Sequence, residues 1–223
     1  MLRRLTLIVS FLMTFALASS AAAQGDMAPL NLSEMDGVET GYARMYMIDI
    51  EAALEDPANM DAATPEDAPF YGIAIAIDFD DEDSAEAGFE TFSDEFSSAF
   101  FEGDGPESNE IDDLGDNAVE MTGEVDVDDS GNAPTGLVMV QEGEMIYVSV
   151  IMGGDDATGL AMGLAEFMLD GEPGEGDVEL VPDGNSSGGV FDVMPTADDA
   201  DVVDGLVPFM DVDLVSGPSL ELE

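Results

Sequence analysis

The chain has 223 residues, with 52 acids, three arginines and no lysine, histidine or cysteine. That inventory removes imidazole, thiolate and amine catalysis, disulfides, and binding of nucleic-acid phosphates, which needs Lys or Arg to displace counterions. Yet 45% of residues are hydrophobic, so the composition is that of a chain with a core and not of a charged disordered one.

Met1 to Ala23 has the three parts of a secretory signal peptide: Arg3 and Arg4, an apolar run from Leu5 to Leu17, and small residues at Ala21–Ala23 before Gln24. The apolar run is shorter than the ~20 residues a spanning helix needs. Cleavage is therefore expected, with the mature chain secreted or periplasmic and no cysteine for a lipid anchor. Both leader arginines leave with it, and Arg44 alone then faces all 52 carboxylates. Such a surface is tolerable where salt screens it or where low pH neutralises it. Salt is the favoured reading, because at ~1 M the Debye length falls to ~3 Å.

Gly41 to Ile50 alternates as a strand, with Tyr42, Arg44, Tyr46, Ile48 and Ile50 on one face. Residues 55–69 read as a proline-rich acidic loop. Phe70 to Phe79 is a second strand, in which Ile73, Ile75, Ile77 and Phe79 oppose the small Gly72, Ala74 and Ala76. Something is expected to pack closely on that small-residue face.

Asp83-Ser-Ala-Glu86 has the form of a capping box and opens a helix in which Ala85, Phe89, Phe92, Phe96 and Phe100 form one stripe, ended by Gly103. A core-facing stripe is preferred to an aromatic ligand box. Ala118 to Val127 reads as a strand, and Leu137–Gln141 and Met145–Ile151 as a hairpin about Glu142-Gly143. Asp155 or Asp156 caps a second helix, with Ala157, Leu160, Ala161, Leu164, Ala165 and Met168 on one face and Gly171 at its end. The order β-β-α-β-β-β-α predicts an α+β fold, an antiparallel sheet with two amphipathic helices on one face.

The predicted organisation is signal peptide 1–23, α+β domain 24–171, an acidic Gly/Pro/Ser-rich linker 172–189 and a C-terminal extension 190–223. Thr196 is placed to cap a short helix through Leu206. The extension is too small for its own core. Docking on the main sheet is favoured over a free partner-binding tail.

A strand ending at Phe79, a Phe/Ala-rich helix, Asp113-Leu-Gly-Asp-Asn-Ala118, a hairpin around Val140-Gln-Glu-Gly143 and an Ala/Leu helix together resemble secreted bacterial sensor-like domains of largely unknown function. Some of these are attached to receptor kinases or lipoproteins. The resemblance spans roughly residues 70–171 and implies an α+β fold and a sensing or binding role. Where that family commonly has a basic hairpin turn, this chain has Gln141-Glu142-Gly143-Glu144.

No nucleophile elbow or phosphate loop is present, and the expectation is a non-enzymatic domain with no cofactor. It would bind a neutral or cationic small molecule or protein, and no nucleic acid or anionic membrane surface. The alternative is a divalent-cation protein. Asp126, Asp128, Ser130 and Asn132, with Gly131, carry the opening of a calcium loop, although Leu137 stands where its bidentate glutamate belongs. The same residues also read as a hairpin turn with solvated acids, which is preferred. Asp78 to Asp83 is a second oxygen cluster, read as a strand end and helix cap. Asn31-Leu-Ser33 and Asn185-Ser-Ser187 fit glycosylation sequons.

Overall fold

The computed structural model describes Leu32 and residues 35–48, 69–101, 106–126, 132–174, 177–181 and 183–215. Its strands are β1 (Val38–Ile48), β2 (Pro69–Phe79), β3 (Glu107–Glu110), β4 (Asn117–Asp126), β5 (Asn132–Glu142), β6 (Met145–Gly153) and β7 (Leu206–Asp213). Helix α1 covers Glu82–Phe100 and α2 covers Ala157–Asp170. Two 3-10 helices, Gly189–Val193 and Ala197–Val203, lie between α2 and β7. The strands form one sheet in the order β3-β4-β5-β6-β2-β1-β7, with every neighbouring pair antiparallel. The chain is thus α+β, and through α2 the expected element order holds apart from the short β3.

The placement of both helices on one face is corrected. Alternate residues of a strand point to opposite faces, and β2 divides in that way. Ile73, Ile75, Ile77 and Phe79 share a cluster with Ala85 and Phe92 of α1. Ala74 and Ala76 share another with Ala157, Ala161, Leu164, Ala165 and Met168 of α2. The helices therefore sandwich the sheet. Its central strands are apolar on both faces, which is why β5 and β6 run almost unbroken through Leu137–Val140 and Ile146–Ile151.

The two faces are packed differently. On the α1 face Phe92 is fully buried and Phe89 half-buried, each burial of a Phe contributing about 2 kcal/mol. The side chains of Phe96 and Phe100 fall outside the described residues, as does Gly103. Phe101, just past the helix, is buried and lies where a side chain on Gly123 would go. The cap of α1 is Asp81, not Asp83: its carboxylate accepts from Ser84 N at 2.8 Å, starting the helix two residues earlier than the capping box implied.

On the α2 face the approach is closer, as the small residues of β2 suggested. A Cβ on Gly136 would stand 2.4 Å from Thr158 Cα, so the start of α2 lies directly on β5. Buried Ser149 donates from Oγ to Ala161 O at 2.7 Å, tying the middle of α2 to β6. Asp156 is the N-cap residue and Gly171 the C-cap.

Beyond α2 the chain returns to the sheet. β7 pairs with β1 from Tyr42↔Asp213 to Ile48↔Leu206. Val190, Phe191, Val193, Met194, Val203 and Leu206 join the α2-side cluster. Thr196 caps the second 3-10 helix, accepting from Asp198 N at 3.3 Å, but the helix ends at Val203 and Leu206 begins β7. The described part of the expected linker also folds onto the body, with a β-bridge between Glu179 and Ser187 and Ser186 buried.

Candidate functional site

β1 supplies the even-numbered side chains expected on one face. Tyr42, Tyr46 and Ile48 enter the α2-side cluster, and Arg44 lies among them with 1% of its surface exposed. Ile50 is outside the described residues. Gly41 O accepts from Leu214 N at 2.8 Å, which fixes the ladder's phase. Arg44 and Asp211, three residues further along the same register, are therefore a non-hydrogen-bonded pair, the kind whose side chains stand closest.

The guanidinium uses that closeness fully. Nε donates to Asp211 Oδ1 at 2.9 Å and Nη2 to Oδ2 at 3.1 Å. Nη2 also donates to Ser186 O at 2.7 Å, and Nη1 to Met194 O at 3.3 Å and Pro195 O at 3.4 Å. Its plane stacks 5.0 Å from the centroid of Phe191, which in turn meets Tyr42 at 5.2 Å. Ser186 N closes the network on Asp211 Oδ2 at 2.8 Å. Tyr46 donates to Pro195 O at 3.0 Å, and burial raises its phenol pKa well above normal. Every member is satisfied internally, so this centre binds the chain to itself and offers nothing to a substrate.

A different environment surrounds Asp78. It is half-buried at the end of β2, and burial first, then Glu39 and Glu144, raise its pKa. Tyr147 is raised by burial, then by Asp78 and Glu142. Asp81, three residues on, is instead lowered by its hydrogen bonds to Ser84. One raised carboxyl among like charges can hold a proton, and the titratable groups coupled to it are Glu39, Glu144 and the Tyr147 phenol. The oxygen cluster of 78–83 is thus a strand end and a helix cap.

An open cleft of about 380 Å³ lies against the first turns of α1, lined by Met35, Asp36, Asp81, Asp83, Ser84, Ala87, Gly88 and Thr91. Its carboxylates are solvated, and Asp81 is committed to the cap.

The calcium-loop residues are brought only partly into view. Asp126 ends β4, Asn132 begins β5, and the two pair directly. The Asn132 amide donates to Glu124 Oε2 at 3.2 Å. Asp128 and Ser130 lie outside the described residues. Among the described residues no group of three or more Asp or Glu is placed to hold a metal ion. Asn185 is exposed in a turn, with its amide on Asp183 Oδ1 at 3.1 Å; Asn31 and Ser33 are outside the described residues.

The segments Asp113–Ala118 and Val140–Gly143 meet at the β5–β6 turn. Asp116 N donates to Gln141 O at 2.8 Å, and Asp116 Oδ2 accepts from Gly143 N at 2.9 Å. Gln141 Nε2 donates to Gly143 O at 2.8 Å, and Asn117 to Gln141 Oε1 at 2.5 Å. Gly115, at φ +62°, approaches Gln141 O where no side chain would fit. The motif is thus a clamp on the β5–β6 turn.

The sequence placed Arg44 on a strand face against many acids without singling out Asp211, and gave no sign of Ser186, Phe191 or Pro195 as its neighbours. The available signal was Asp211 itself, one acid inside the otherwise apolar Leu206–Val212. No family model, curated protein or solved structure matches the chain. Among the described residues no helix is long and apolar enough to cross a membrane.

Proposed function

We propose that this chain is an exported, non-enzymatic binding domain, sensor-like in character, whose anionic surface is suited to salt and takes a neutral or cationic partner. The observation that carries this reading is the burial of Arg44. With the leader removed, the last cationic side chain is spent inside the fold, and the surface presents carboxylates without a single compensating side-chain charge. That surface repels phosphate-bearing and other anionic partners at range and attracts cationic ones. The catalytic side chains absent from the sequence favour binding over chemistry. The signal-like leader supports an extracytoplasmic location.

Two measurements test the reading. Fractionation of the native host with N-terminal sequencing should find the mature chain outside the cytoplasm, beginning at Gln24. Circular dichroism against NaCl at pH 7 should show folding completed as salt approaches ~1 M. A chain retained in the cytoplasm would remove the export claim, and complete folding in dilute buffer would remove the claim of salt adaptation.

A further inference from the structure

The two edges of the sheet are not alike. At β7 the edge carries Pro208, and the turn at Gly184 packs against the backbone of Pro208, Phe209 and Met210. At β3 all four residues, Glu107-Ser-Asn-Glu110, are exposed, and among the described residues only β4 pairs with them. Ile111 N donates to Ala118 O at 3.0 Å, and Ile111 and Ala118 continue the β3–β4 register. The phase of an antiparallel ladder then makes Glu107 and Asn109 the residues bonded to β4. The backbone N–H and C=O groups of Ser108 and Glu110 consequently point away from the sheet, in position to accept another strand.

We infer that the β3 edge is a docking site for a lysine- or arginine-bearing extended segment of another protein, added as an eighth strand through Ser108 and Glu110. Side chains on both faces of the edge favour that occupant. Glu107 and Asn109 share a face with Glu120 and Thr122, while Glu110 stands on the other face with Ser108, and beyond Ile111 come Asp112 and Asp113, both exposed. A second copy of this chain would set glutamate against glutamate, which is destabilising for cross-strand neighbours. A basic strand meets opposite charge on both faces while its backbone completes the ladder. The inference rests on the binding reading above and gives it a surface and a partner class.

The test uses a fluorescent peptide of paired lysines and paired threonines, which puts lysine on both faces of a strand, titrated by anisotropy into the mature chain at ~1 M NaCl, where diffuse attraction is screened. Saturable binding is expected. Ser108→Pro removes an outward N–H and leaves the β3–β4 bonds in place. It should weaken binding about tenfold or more, whereas Ser108→Ala should not. In the unmodified chain, peptide should slow hydrogen exchange at the Ser108 and Glu110 amides, a readout that survives if the proline variant misfolds. Saturable binding that leaves both the amides and Ser108→Pro unchanged overturns the edge as the site while leaving a cationic-partner domain intact. No saturable binding overturns the edge inference, and the export and salt measurements above then decide the broader reading separately.

Discussion

Arg44 and Asp211 face each other across β1 and β7 in a two-point contact of 2.9 and 3.1 Å, both side chains fully enclosed. They are joined there by three backbone carbonyls from the segment between α2 and β7. Arg44 is the one cation among the described residues, and it lies where the segment between α2 and β7 closes on the sheet.

Removing that cation leaves an enclosed carboxylate with the Ser186 N–H but no opposite charge, and breaking such a pair costs about 3–5 kcal/mol. Arg44→Met should therefore lower the urea midpoint strongly in high salt, with β7 released first. Arg44→Lys should recover little, since an ammonium lacks the planar fork that reaches Asp211 twice. The double change Arg44→Met with Asp211→Leu should restore much of the loss. If the double variant is as unstable as Arg44→Met alone, stranded charge is not the cause.

Asp78 carries the opposite kind of charge, one that opposes folding. Burial and the neighbouring Glu39 and Glu144 raise its pKa, so the native state holds this proton more tightly than the unfolded chain. The associated stability is fully present below the ordinary Asp value of ~3.9 and is lost as pH rises through the raised folded value. Asp78→Asn should then stabilise the protein at pH 7 by about half a kcal/mol, a figure kept small because solvent and salt screen a half-exposed group. The two proteins should have equal urea midpoints once pH falls to ~3.5, below the ordinary Asp value. A stabilisation that persists unchanged at that pH would point to a cause other than charge.

The legibility of the fold follows from how local each signal was. The alternation of Tyr42 to Ile48, the run of Ile73, Ile75 and Ile77, and the Ala/Leu face of α2 depend only on near neighbours, and all three elements formed as read. β3 could not be read because Glu-Ser-Asn-Glu has neither apolar alternation nor branched residues; β4 alone makes it a strand. β7 carries Pro208, which argues against a strand, and the proline is tolerated beside the irregularity between Met45 and Tyr46. The face of each helix was a long-range property. It was encoded in the double-sided apolarity of β5 and β6, but periodicity within the helices is silent on it. The internal centre was legible only as an arginine on a strand, because Asp211 lies 167 residues away: its place inside the apolar Leu206–Val212 marks it as unusual, but nothing local ties it to Arg44.

Two glycines give a final contrast between close packing and open space. At Gly136 an added Cβ would meet Thr158 Cα and N within 2.5 Å, backbone atoms that cannot turn aside. At Gly163, inside α2, nothing stands within 4 Å of the same added atom. Gly136→Ala must push the start of α2 off the sheet, and overpacking of that kind costs about 1–3 kcal/mol. Gly163→Ala only removes unfolded-state freedom and raises helix propensity, which stabilises by about 0.5–1 kcal/mol. Thermal unfolding in high salt should therefore move in opposite directions for the two variants. The Gly136→Ala loss should be accompanied by faster hydrogen exchange at the amides of 157–160, where α2 rests on β5. If Gly136→Ala unfolds at the temperature of the unmodified protein, the close seating of α2 on β5 is wrong.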